Sequence, residues 1–237
     1  MEWDKYRRLC CIVIFGMTIS STAVAQGNCG NLNEGYGPFD YRTQKHELKI
    51  VEGAHFLPFV ENLSRGNTST TPGGDIDYTL RASPNHHRAL LAMMKLSSKE
   101  KRDKPIGARY TIACWLDRAE RFAPDDAMVK TIYGTFLLQK GKADEGVKKL
   151  EEALVMAGDN ANIHYNLGLA YVDLKDYDKA LASAHKAYQL GFPLPGLRNK
   201  LERVGQWRDL PPKVVATDEA PAKPSEATEP EAGKKAD

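Results

Sequence analysis

A 34-residue recurrence governs what this chain can fold into. Tyr133-Gly134 and Leu167-Gly168 stand one period apart, Leu137 and Tyr171 follow at the same offset, and the turns Gly141-Lys142-Ala143 and Lys175-Asp176-Tyr177 coincide. Leu150 and Ala153-Leu154 then mirror Ala184 and Ala187-Tyr188, and Gly158 mirrors Phe192. In each copy apolar residues recur at helical spacing on both sides of the turn, which predicts two antiparallel helices. Gly168 lets the paired helix come close, with the small residues Ala180, Ala184 and Ala187 facing inward. A pair of this size cannot bury its apolar face alone. Copies must stack and share a core.

Upstream the copies decay. A second helix at 108–122 is closed by Ala123-Pro124-Asp125-Asp126, and its partner runs from His86 to Leu96. Pro84 to Pro124 is a longer step than the period, so extra residues sit between them, and the charged stretch Ser97 to Lys104 is the expected insertion. Asp75 to Ala82 reads as the second helix of an earlier unit, with Lys49 to Leu63 as its first. Downstream, Gly191 ends the last pair and Pro193 blocks its continuation. Pro195 and Gly196 open one more helix, 195–208, with Leu197, Leu201 and Val204 on one face and Trp207 beneath it.

These residues resemble the tetratricopeptide repeat family, firmly over 127–207 and weakly over 75–126. The resemblance implies an all-α, right-handed α-solenoid of about three to four helix pairs with a C-terminal capping helix. It also implies a concave groove lined by the first helices, here Met128, Thr131, Thr135 and Leu138, then Asn162, Tyr165, Leu169, Val172 and Asp173. Tyr165 is the expected aromatic anchor for a peptide or helix. Some members clamp a chaperone's C-terminal carboxylate with Lys and Asn. Thr131, Thr135, Tyr165 and Leu169 occupy those positions here, which argues against that role.

The two ends have other characters. Residues 1–25 carry Lys5, Arg7 and Arg8, a short apolar run from Leu9 to Ile19, and Ala23-Val24-Ala25, as in a cleavable signal peptide. The alternative is an uncleaved anchor, for which the apolar run is short. Export implies a periplasmic or secreted protein with no membrane span after cleavage. Losing Lys5, Arg7 and Arg8 with Glu2 and Asp4 takes the net charge from +2 to +1, too little for non-specific nucleic-acid binding. Residues 209–237 mix five prolines with Ala, Glu and Lys and lack aromatic residues from 211 onward, so a disordered tail is expected, either a tether or an inert end.

Two cysteines remain after the leader, Cys29 and Cys114. In an oxidising compartment they pair or stay as separate thiols, and the compartment favours a bridge closing a long loop. Repeat alignment turns Cys114 outward, so the bridge would pin an extended strap, 26–48, to the convex side. The aromatic stretch Tyr36 to Arg42 belongs to that strap or to a ligand site. Residues 49–126 form degenerate repeat-like helices, and 127–194 hold two repeats.

Catalytic signatures are absent from the sequence. His86 and His87 are adjacent and cannot face the same way on a helix. Neither zinc-ligand spacing, a GxSxG elbow nor a phosphate loop occurs. No cofactor or metal is expected. The leading expectation is an exported scaffold or adaptor that binds another exported or envelope protein or peptide, with self-association possible. The alternative is a metal-dependent or hydrolytic envelope enzyme in which His55 meets Glu61, or Asp75 and Asp77 meet His86.

Overall fold

The structure, a computed structural model, describes residues 29–209. Among them every regular element is a helix. The first pair is α1 (Lys45–His55) and α3 (Pro72–Ala82), with the short α2 (Pro58–Glu61) between them. Then come α4 (His87–Glu100) with α5 (Ile112–Phe122), α6 (Ala127–Gln139) with α7 (Ala143–Met156), and α8 (Ala161–Asp173) with α9 (Tyr177–Gln189). The last helix, α10 (Gly196–Arg203), packs on α8 and α9. Each pair touches the next through α3 and α4, α5 and α6, and α7 and α8, so the helices form a solenoid of consecutive pairs.

The same local chemistry recurs at each joint. Lys101, Gly141 and Lys175 all adopt left-handed backbone, at φ 54°, 73° and 61°. Each closes its first helix in the same way: Arg102 N donates to Ser97 O (3.1 Å), Lys142 N to Leu137 O (2.9 Å) and Asp176 N to Tyr171 O (2.9 Å). Between pairs, His86, Asp126 and Asn160 cap the next first helix, accepting from Ala89 N, from Met128 N and Val129 N, and from Asn162 N.

Close approach follows the small residues. A Cβ on Gly134 would lie 2.7 Å from Leu150 Cγ and 2.9 Å from the Gly146 carbonyl oxygen, so α6 and α7 touch backbone to backbone there. Two apolar clusters fill the stack. One joins α2 to α6 around Trp115, Leu116, Ile76, Leu80 and Met93, and the other joins α7 to α10 around Leu150, Ile163, Leu197 and Leu201.

Several boundaries differ from the sequence reading. Helix begins at Lys45 and not at Lys49, and it breaks at Phe56-Leu57 because Pro58 cannot continue it. The insertion is 101–111. Ser97 and Ser98 remain helical, since the left-handed turn comes at Lys101, and α5 waits for its cap, Thr111, whose hydroxyl accepts from Cys114 N. Val204 is 44% exposed: α10 stops at Arg203, where Gly205 (φ 69°) lets Gln206 N bond Leu201 O. The leader and the tail beyond Asp209 lie outside the described residues.

Cys29 and Cys114 are bonded. The strap they anchor is held along its length. Arg118, wholly buried on α5, donates to Cys29 O (2.8 Å) and Asn31 O (2.7 Å) and pairs with Glu34 (3.4 Å). Tyr110 donates to Glu34 (2.7 Å), Phe39 N to Ala82 O (2.9 Å) and Tyr41 N to Asn85 Oδ1 (2.9 Å). Gly37 sits at φ 104°, and a Cβ there would strike the Ala82 carbonyl oxygen, so the position requires glycine.

Candidate partner-binding face

The first helices α4, α6 and α8 lie side by side, α6 touching both neighbours. Their outward residues make a face that is open on α4 and α8 and largely covered on α6, where only Gln139 is exposed. On α4 it carries Arg88, Leu91, Lys95 and Lys99. Leu91 is 39% exposed, and Lys95 has no carboxylate in ion-pair range among the described residues. The α2 segment leans on the upstream end of this face: Glu61 pairs with Arg88, and Lys99 donates to Leu63 O (3.1 Å). Glu61 is held below the usual carboxylate range by its hydrogen bond from Arg88.

The residues assigned to the groove from sequence differ in exposure. Asn162 and Asp173 are open to solvent, and Asp173 meets Lys200 of α10 at 3.4 Å. Met128, Leu138, Leu169 and Val172 are half-buried against the cores. Thr131 is buried and donates to Ala127 O (2.7 Å), and Thr135 donates to Thr131 O (2.8 Å), so both hydroxyls serve their own helix. Tyr165 stacks on Phe192 with ring centroids 4.0 Å apart and presses its hydroxyl toward Gly196. Its ring belongs to the joint with α10. Burial raises its phenol above the ordinary range.

Sequence reasoning missed Lys130. It stands one period before His164, is 7% exposed, and bonds Glu120 (2.8 Å) and Glu152 (2.9 Å), while Lys149 also bonds Glu120 (2.6 Å). This cluster ties α5, α6 and α7 together. Burial opposes the charge on Glu120, but hydrogen bonds from Lys130 and Lys149 win and hold it low.

The histidines have local employment. His55 Nδ1 meets Asp75 (2.9 Å), and its ring stacks on Tyr78 at 3.9 Å. Asp75 is fully buried and also accepts from Asn67 N, Ser69 N and the Thr68 hydroxyl, so it organises the 66–71 loop. Burial resists its ionisation, yet those donors hold its pKa low. The convergences entertained from sequence do not form: Glu61 pairs with Arg88, Asp77 with Arg81 and Arg109, and His86 with Glu52. His87 bonds Asp126 (2.8 Å), His164 meets Gly158 O (2.8 Å), and His185 meets Arg208 O (2.8 Å) beside Trp207. No group of three or more metal-ligating side chains converges among the described residues. Nor is any helix there long and apolar enough to cross a membrane.

His86 is neutral. Its Nδ1 accepts from Ala89 N (3.1 Å), so the proton sits on Nε2 and is donated to Glu52 (3.0 Å). Burial, with Lys45 and Arg88 nearby, pushes its pKa down to about 3. The unfolded chain takes up this proton from about pH 6.5 downward while the folded one refuses it to about pH 3. Stability should therefore fall by up to about 1.4 kcal/mol per pH unit as the medium is acidified through that window. Urea titrations of wild type and His86→Asn, which keeps a capping side chain, check this: the variant should lose that slope between about pH 6 and 4.5. Equal slopes would refute it.

The outcome is a stack of helix pairs with an open first-helix face, whose final pair spans α8 and α9. Residues 161–191 match the tetratricopeptide repeat model. Over 61 residues the chain is also 39% identical to a probable UDP-N-acetylglucosamine–peptide N-acetylglucosaminyltransferase, SPINDLY, of Oryza sativa subsp. japonica. That alignment covers 26% of this chain and 7% of the transferase.

Proposed function

We propose that this protein is a non-catalytic scaffold that binds another exported protein or peptide on the face of α4, α6 and α8. The observation that carries the reading is the row of touching first helices in which Leu91 and Lys95 stand open and Asn162 and Asp173 face solvent two pairs along. An exposed leucine between cationic and amide side chains suits an amphipathic segment carrying acidic residues. The charged start, apolar run and small residues of 1–25 support export, hence a periplasmic or secreted location.

Tyr165 holds α10 in place, so it is a poor probe of this surface: Tyr165→Ala should cost about 2 kcal/mol by emptying the space against Phe192. Leu91→Asp and Asn162→Asp probe the face itself. Both side chains project to solvent, so melting temperature should stay near wild type while capture of the partner from an envelope extract falls at least about tenfold, or 1.4 kcal/mol. Unchanged capture would remove the face from consideration.

The second reading, an envelope enzyme, draws on His55, whose Nδ1 is fixed by buried Asp75 and whose ring borders a cavity of about 220 Å³ with Tyr36 and Tyr78. Stoichiometric zinc or iron in the purified protein, lost on His55→Ala, would favour it over the scaffold.

A further inference from the structure

We propose that residues 214–219, Val-Val-Ala-Thr-Asp-Glu, dock back into a cleft between the 101–111 loop and α6. The cleft is a product of the insertion. Because α5 starts only at Ile112, it packs against α4 far less closely than α7 does against α6 or α9 against α8. Two cavities of about 480 and 840 Å³ open there, sharing Asp103, Ile112, Phe136 and Lys140. The larger cavity supplies an apolar floor of Ile112, Tyr133, Phe136 and Leu137, and the smaller one is mainly polar, with Lys101 and Arg102 in its lining.

The rim charges are unevenly answered. Lys140 pairs with Asp103 (2.6 Å) and Lys142 with Glu145 (3.0 Å). Neither Lys101 nor Arg102 has a carboxylate in ion-pair range among the described residues. The cleft therefore offers an apolar floor beside two open cations. Its complement is an apolar pair followed closely by carboxylates. Val214-Val215 and Asp218-Glu219 have that order, and Glu226, Glu229 and Glu231 follow with one lysine, Lys223, between.

Position favours this segment. Arg208 pairs with Asp178 at the start of α9 (3.2 Å), and the starts of α5 and α7 line the cleft. Successive first helices touch, so each pair is offset from the next by about one helix diameter, ~10 Å. The cleft is then one to two offsets from Asp209, ~10–20 Å, and a stretch of four to nine residues spans up to roughly 14–30 Å. This contact lies at the edge of the stack and does not depend on partner binding by the first-helix face.

The test uses the full chain with a photoreactive residue at Gln139, exposed on the rim. At high dilution, irradiation should give an intrachain adduct to a peptide containing residues 214–219. The yield should fall several-fold in about 0.5 M salt, and likewise in Lys101→Glu/Arg102→Glu. Asp218→Lys/Glu219→Lys, which leaves residues 29–209 untouched, should reproduce the loss with no change in melting. No adduct to this segment would overturn the proposal. So would adducts found only between chains and rising with concentration, or a yield indifferent to both charge reversals.

Discussion

Replacing Arg118 by methionine should lower the unfolding free energy by about 3 kcal/mol, the low end for breaking a buried ionic contact. The guanidinium is completely buried between the rings of Tyr110 and Trp115 and supplies two hydrogen bonds to strap carbonyls, at Cys29 and Asn31, plus the contact to Glu34. Methionine fills the volume but offers no donor to either carbonyl. Glu34 keeps Tyr110 as a donor, which limits the loss. Burial pulls the guanidinium below its ordinary pKa, so this cation is retained at a desolvation cost that strap contacts offset. Urea unfolding near neutral pH measures the effect; a change under about 1 kcal/mol would show that strap and α5 are only loosely joined.

Opening the disulfide should cost a similar amount. The bridge closes a separation of 85 residues, worth up to roughly 4 kcal/mol in the chain-entropy account. Cys114→Ser/Cys29→Ser, or reduction with dithiothreitol, should lower the unfolding midpoint accordingly. The two effects should not add. Bridge and guanidinium hold the same few residues, so with the bridge gone Arg118 has already lost much of its hold on the strap. The triple variant should fall short of the combined single losses by at least about 1 kcal/mol, and full additivity would contradict the shared-strap account.

The period between Tyr133 and Gly191 was legible because tight joints demand particular residues: glycine where helices touch, small residues facing inward, Asp or Asn at a cap. The bridge was legible from the cysteine count and the oxidising compartment that export implies. Other features were hidden for physical reasons. Arg118 looks like any solvated helical arginine, and only a strap some 85 residues upstream makes it interior. His86 looks titratable, yet it acts as a helix cap, a place more often filled by Asp or Asn, as Asp126 and Asn160 fill it in the later pairs. Lys101 gives no hint of left-handed backbone, so the insertion was placed too early. Tyr165 was assigned to the open face from its register alone. Phe192 and Gly196, beyond the repeat, claim its ring.

In the proposed function, the face of touching first helices receives the partner. Crosslinking in intact cells tests it directly, with a photoreactive residue at position 91 on that face and, in a second strain, at Lys148, exposed on the second helix α7. One dominant protein adduct is expected from position 91 and none of that species from position 148. The same adduct in equal yield from both sites, or no adduct from position 91, would contradict it.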